Sequence, residues 1–440
     1  MATVCAVLAA AGGLGSSGCG ALTGRHAGGG PGQAATSGAT SGATSGPTHP
    51  FGAHVVAYHG DGVIFPARVS RAALDTATAA YYDAWKARYL ERGCEPGEFR
   101  VHSFPATKAY AVSEGHGYGM VAVALMAGHD PDARTIFDGL YAYYRRHPTL
   151  ASKRLMAWAQ DAACHNVGGS NSATDGDMDI AYGLLLAEKQ WGNGGAVDYG
   201  AAARELLDAI DKREVTPAGT LLVGDWVGDP RGKRYRSTRA SDFLPEHMRA
   251  FGRATGDERW ARVLERTYGL IGVLRTRYAP ATGLMPDFVL EATGDSPRPA
   301  PPMFLEKAGD GQYSWNACRV PWRVATDYLL SGEPRARDEA RVLNAWLRAH
   351  TGDDPTKIVD GYALDGGPGV DAKGQPALAF VAPFLVSAMV ERAAGTNQAS
   401  NQDWLDALWD DVAARPVTEY YGDSIKLFAM ILASGNWWSP

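Results

Sequence analysis

From Ala72 onward, apolar residues recur at helical spacing in twelve successive segments: 72–91, 115–128, 133–147, 177–191, 199–212, 240–254, 257–277, 320–331, 335–350, 376–393, 402–413 and 423–434. Recurrence at i, i+3 and i+4 predicts helices, and the alternation expected of long strands is scarce. Segments such as AYGLLLAEKQW and DSIKLFAMILA are apolar on more than one face. That is the pattern of an inner layer covered by an outer one. Helices joined by Gly- and Pro-bearing loops therefore predict an all-α body of helical hairpins arranged in a ring. A bundle or solenoid would read similarly, but no clean repeat of solenoid period is present.

The pattern breaks down toward the N-terminus. Residues 1–19 form a small-residue, apolar leader of roughly signal-peptide length, too short and too Gly-rich to span a membrane. It lacks a basic beginning. Cys19 follows Ser-Ser-Gly and is a candidate lipid-attachment site, without the usual aliphatic residue three positions earlier. Residues 20–48 repeat an ATSG unit and carry almost no large apolar side chain, which predicts a flexible linker. The folded domain is expected over 49–440. Export is the expectation, with the protein secreted or lipid-anchored at the cell surface and no transmembrane span. Of five cysteines, Cys94, Cys164 and Cys318 fall in the body, so at most one internal disulfide forms and one thiol is left over. No CxxC pair suggests a metal, and no metal or cofactor is expected.

Composition narrows the partner. A net charge of −6 without any Lys/Arg run excludes nucleic acid as a natural ligand. A neutral or cationic ligand is easier to accommodate. The chain has 12 Trp and 19 Tyr, many for its length of 440 residues. Most such rings serve cores, but flat aromatics also stack on the apolar faces of sugars. The expected partner is a polysaccharide, bound by a monomer.

Hydrolysing a glycosidic bond needs one carboxylic acid to protonate the leaving oxygen and a second carboxylate as base or nucleophile. Glu114 stands in AVSEGHGYGM between Ser113 and three glycines, at the start of an apolar helix. Glycines let substrate approach the backbone, and an apolar border raises a carboxyl toward acid duty. A first-turn Glu favoured by the helix dipole is the plain alternative. In SATDGDMDIAYGLLLAEKQWG, Asp175, Asp177 and Asp179 cluster in one first turn, more acids than capping requires. The spacing is not that of a calcium loop. In PAPPMFLEKAGDGQYSWNACRVPWRVATDYLL, Glu306 lies on a Pro-rich loop ahead of Asn316, Arg319 and Arg323. Glu306 reads equally as a base or as a surface carboxylate.

Taken in order, SEGHGYGM, ATDGDMDIAYGLLLA and NACRVPWRVATDYLL resemble glycoside hydrolase family 8 over essentially residues 50–440. The resemblance implies an (α/α)6 barrel of six inner and six outer helices and an inverting mechanism. It implies Glu114 as proton donor and Asp175 as the acid that holds and distorts the sugar at the cleavage point. Many members carry an Asp as base where this chain has Asn316, and an amide cannot deprotonate water. The subgroup with Asn there resembles this chain in its inserted PAPxxFLE loop, whose Glu supplies the base; here that is Glu306. The subgroup is rich in chitosanases, so the resemblance points to chitosan, with β-1,4- or β-1,3-1,4-glucan as the alternative and xylan less favoured. A sugar-binding surface lipoprotein without cleavage is the alternative of another class. Trp158, Trp226 and Trp315 are expected as stacking platforms. Asp177, Asn316 and Arg319 are expected to line the substrate site, Arg319 and Arg323 chiefly by orienting carboxylates. Asp225, Asp229 and Asp242 are candidates for meeting glucosamine ammonium groups. His116 and His165 are read as structural unless they touch substrate.

Overall fold

The computed structural model describes residues 46–59, 62–391 and 401–440. Its helices are α1 (Arg71–Tyr89), α2 (Ser113–Leu125), α3 (Ala133–Arg146), α4 (Thr174–Trp191), α5 (Tyr199–Glu214), α6 (Pro245–Thr255), α7 (Glu258–Tyr278), α8 (Val320–Ser331), α9 (Pro334–Thr351), α10 (Leu378–Ala388), α11 (Gln402–Ala414) and α12 (Tyr420–Ala433). Even-numbered helices form a closed inner ring, each packed on the next, with α12 returning to α2. Each odd-numbered helix covers an inner neighbour: α1 lies on α12, α3 on α2, α5 on α4, α7 on α6, α9 on α8 and α11 on α10. The expected (α/α)6 barrel is present.

Burial follows this division. Helices α2, α10 and α12 are buried along nearly their whole length, whereas α3 and α7 bury one stripe of residues. Ser70, Asp198 and Asp257 cap α1, α5 and α7 through their side chains, and left-handed glycines at 256, 332 and 352 end α6, α8 and α9. The most extensive helix contact is between α2 and α4. A Cβ on Gly117 would lie 2.7 Å from the Asp179 side chain, and one on Gly176 would lie 2.4 Å from Ser113 Oγ. A mid-helix glycine costs about 1 kcal/mol relative to alanine. Here it lets the two helix starts, and with them Glu114 and Asp175, meet.

Eight short strands, too short to show alternation in the sequence, form three small antiparallel sheets. β1 (Leu90–Arg92) pairs with β2 (Phe99–Val101). β3 (Ala111–Val112), β4 (Ala159–Gln160) and β5 (Asn166–Val167) form a second sheet whose first strand runs directly into α2. β6 (Ser237–Arg239), β7 (Phe288–Leu290) and β8 (Arg298–Pro299) form a third, between α5 and α8. A satellite core of Leu222, Val223, Val227, Phe288, Leu290 and Ala300 packs against Trp226, Tyr235, Phe304 and Leu305. It fastens the loop carrying Glu306 to the loop carrying Trp226.

Cys94 and Cys164 form a disulfide between the β1–β2 and β4–β5 turns, and Cys318 is a buried free thiol. The body starts slightly before residue 49: Thr48 N–H donates to Gln190 O at 3.2 Å, and His49 stacks on Trp438. The leader expected over 1–19 and the linker up to residue 45 lie outside the described residues. Among the described residues no helix is long and apolar enough to cross a membrane.

Candidate active site

The first turns of inner helices α2, α4 and α12 and the segments leading into α6 and α8 bring Glu114, Asp175, Tyr420, Arg239 and Arg319 together at one end of the barrel. Helix N-termini favour negative charge, and carboxyls gather here. Glu114, in the first turn of α2, accepts from Arg319 Nη1 at 2.6 Å on Oε2 and from Tyr420 Oη at 3.0 Å on Oε1. Burial pushes its carboxyl above the ordinary range; Arg319 opposes this and the neighbouring charge of Asp175 reinforces it. A shift in this direction favours the protonated form, the one a proton donor needs.

Asp175, one helix away, has the opposite character. Its Oδ1 accepts from Arg239 Nη2 at 2.8 Å and from Gly176 N–H at 3.0 Å, and its Oδ2 accepts from Arg319 Nη1 at 3.1 Å. Burial acts to raise it, but Arg239 and then Arg319 outweigh burial and hold Asp175 below the usual carboxylate range. Two neighbouring carboxyls are thus pushed in opposite directions, the split environment that separates an acid from an electrostatic partner.

Glu306 reaches the same place from the loop before α8. The N–H groups of Leu305, Glu306 and Lys307 all donate to the Asp310 carboxylate, at 2.7, 3.0 and 2.9 Å, so the backbone wraps around one buried anion. Phe304 and Leu305 anchor the loop in the satellite core. Glu306 Oε2 accepts from Asn316 Nδ2 at 3.0 Å, and Asn316 Oδ1 accepts from Arg319 Nη2 at 3.3 Å. Glu114 and Glu306 are thereby linked through Arg319 and Asn316. Burial raises Glu306 as well, opposed first by Arg239, with Asp287 adding to the rise.

The three tryptophans are partly exposed. Trp158 Nε1 donates to Gly168 O at 3.0 Å, and its ring lies so close to Gly168 that a Cβ there would sit 2.5 Å from it. The Arg234 guanidinium lies over the Trp226 ring at 5.4 Å. Trp315 packs edge-on against Phe380 and is tilted against Tyr421.

The remaining candidates are engaged mainly with protein partners. Asp177 does not line the substrate site: it is fully buried, accepts Met156 N–H at 2.8 Å, and faces the charge of the buried Glu214 carboxyl. Burial pushes Asp177 well up and Glu214 up to about 8. Arg319 is buried and donates to Glu114, Asp175, Asn316 and Tyr118. Asp242 is buried against Arg239 and Ser241, and burial raises it to about 7. Asp225 accepts Ser172 N–H, while Asp229 and His165 pair at the surface with Arg231 and Asp161. His116 is buried against Leu140 O and burial lowers it to about 4, a neutral structural residue. Asp179 is buried with Arg323 and His247 deeper in the barrel. The sequence reading missed Arg239, Tyr420 and Asp287. Arg239 meets Asp175 across 64 residues of chain, Tyr420 meets Glu114 across 306 and Asp287 meets Ala317 across 30, contacts that only the fold reveals.

A closed double ring of helices with one carboxyl pushed up by burial, a neighbour held down by two arginines and a further loop carboxyl near the inner helix starts defines an (α/α)6 glycoside hydrolase. The sequence model described as "Glycosyl hydrolases family 8" matches residues 63–435, and the chain belongs to that family. It is 44% identical over 394 residues to a beta-glucanase of Niallia circulans, covering 89% of this chain and 92% of that one. It is 37% identical over 388 residues to an endoglucanase of Bacillus sp. strain KSM-330, covering 86% and 80% of the two chains. The apo structure of a β-1,3-1,4-glucanase from Paenibacillus sp. X4 superposes with a TM-score of 0.83 at 44% identity, over 90% of this chain and all of that one.

Proposed function

We propose that the protein is an exported endo-β-glucanase that cleaves β-1,4 bonds of mixed-link or plain β-1,4-glucan with inversion. Glu114 donates its proton to the glycosidic oxygen as the bond from that oxygen to the anomeric carbon breaks. Glu306 takes a proton from the water that forms the new bond on the opposite face. Asp175, held ionised by two arginines, stabilises the positive charge that develops on the sugar ring. The observation that carries this reading is the bridge Glu114–Arg319–Asn316–Glu306, which holds two carboxyls apart on one rigid frame. Inverting enzymes separate their carboxyls by about 6.5–9.5 Å to admit that water.

Three observations favour a neutral glucan over the polycation chitosan. The named relatives are glucanases. Acids expected to meet ammonium groups are otherwise engaged: Asp177 with Glu214, Asp242 with Arg239, and Asp225 with Ser172. The Arg239 and Arg319 guanidiniums beside Asp175 would repel a glucosamine ammonium. Export is supported by the Cys94–Cys164 disulfide, which persists in an oxidising compartment, together with the apolar leader. The test is release of reducing ends from lichenan, carboxymethylcellulose, xylan and chitosan in parallel. A glucan is expected to be cleaved at least about tenfold faster than chitosan, a difference of 1.4 kcal/mol in the barrier. Faster cleavage of chitosan would overturn the substrate assignment, and binding without cleavage of any of them would overturn the enzymatic one.

A further inference from the structure

Asp287, immediately before β7, is completely buried. Its Oδ1 accepts the backbone N–H groups of Ser314, Asn316 and Ala317 at 3.1, 3.0 and 2.8 Å. Its Oδ2 takes Lys307 Nζ at 3.2 Å and lies 3.5 Å from Asn316 Nδ2. Its own N–H donates to Gln312 O at 2.8 Å, and its C=O accepts Ala240 N–H at 2.9 Å. One residue thus holds three separate segments. Ala240 follows Arg239, Lys307 follows Glu306, and Asn316 and Ala317 begin the turn that ends at Arg319. Every group facing the carboxylate is a donor, so the ionised form fits; a proton there would be set against another N–H. A buried carboxylate is costly unless satisfied in this way, which makes the arrangement all-or-none.

We infer that Asp287 is the positioning residue of the catalytic base, locking the Glu306 loop to Asn316 and Arg319 through Lys307 and three backbone N–H groups. The inference rests on Glu306 being the base. It carries an electrostatic consequence. The charged groups facing Glu306 are Arg239 from β6, Asp287 from the start of β7 and Lys307 from its own loop, with the amide of Asn316 bonded to it. Asp287 makes ionising Glu306 harder and Lys307 makes it easier. Replacing Asp287 by Asn keeps an oxygen for the backbone donors and removes the negative charge facing Lys307 and Glu306. Glu306 then ionises at lower pH.

The experiment measures kcat and KM against pH for the full chain, Asp287→Asn, Lys307→Gln and Glu306→Gln, on whichever of lichenan, carboxymethylcellulose and chitosan the parent cleaves fastest. For Asp287→Asn, kcat is expected to fall about 10- to 100-fold with KM changed far less, because the loss is in placement of the reacting groups. The acid limb of its kcat profile moves down by about 1 pH unit, while the alkaline limb, set by Glu114, stays. Lys307→Gln moves the acid limb up. Acid limbs unchanged in both variants, with kcat lost only in proportion to folded protein, would overturn the inference while an inactive Glu306→Gln left the base assignment standing. Full turnover by Glu306→Gln would overturn both. Should Asp287→Asn fail to fold, Lys307→Gln decides: a rise of its acid limb supports the inference and a fixed limb sinks it.

Discussion

The two carboxyls of the site are held by different kinds of structure. Glu114 belongs to a helix of the inner ring: its backbone is fixed by α2, and its side chain by Arg319 and Tyr420. Glu306 belongs to a loop with no regular structure of its own. Its place is determined by Asp310 beneath its backbone, by Phe304 and Leu305 in the satellite core, and by Asn316 beside its carboxyl. Glu114 is positioned by the fold common to the whole ring, whereas Glu306 is positioned by a local assembly of buried charges.

The largest expected effects distinguish the two roles. Glu114→Gln and Glu306→Gln should each lower kcat on polysaccharide by about 10³- to 10⁴-fold. On an aryl glycoside with a good leaving group, Glu114→Gln should recover most of its rate because such a group departs without a proton, and Glu306→Gln should not. Equal recovery by both, or by neither, would break the comparison. Next in size is Asp310→Ala, which removes the acceptor for three consecutive N–H groups. It should cost about 10- to 100-fold in kcat by loosening the base, with thermal stability reduced by only about 1–3 kcal/mol. A loss of stability with unchanged kcat would mean that the loop does not need its anion to hold Glu306.

A smaller effect probes the acid alone. Tyr420 donates to Glu114 and thereby favours its ionised form, so Tyr420→Phe should raise the proton affinity of Glu114. The alkaline limb of the pH profile then moves to higher pH while the acid limb stays. Movement of the acid limb instead would exchange the two assignments.

Smallest for catalysis, and confined to stability, is Glu214→Gln. Glu214 is pushed up to about 8 by burial, so the folded chain keeps a proton that the unfolded chain releases above its ordinary carboxylate range. The sign follows: this group's contribution is full at low pH and declines as pH rises from the unfolded value toward 8, with a slope of about 1.4 kcal/mol per pH unit for each excess proton. Glu214→Gln should flatten that decline in denaturation measured from pH 5 to 9, leaving the activity limbs unmoved.

Much of the architecture was legible in the sequence. Each predicted helical segment overlaps an observed helix, because apolar spacing reports burial directly. The eight strands were not visible, since two or three residues carry no period. Glu114, Asp175 and Glu306 stood out through local features: glycines around one, a first turn crowded with acids, a Pro-rich loop. Asp177 misled because first-turn position says nothing of which way the helix faces; two residues after Asp175, it points to Met156 and Glu214 instead of the groove. Arg239 in RSTRASD and Asp287 in LMPDFVL gave no signal, since each owes its role to partners brought in by the β6–β7 pairing and the turn before α8.

The central claim is that Glu114 and Glu306 act from opposite faces of one sugar, and the stereochemistry of the first product tests it most directly. Proton NMR during early hydrolysis of lichenan should show the newly formed reducing end as the α-anomer, with the β-anomer appearing only later by mutarotation. A β-anomer from the first time point would contradict the account, because it would require a covalent intermediate and a carboxyl pair placed for attack on the sugar rather than on water.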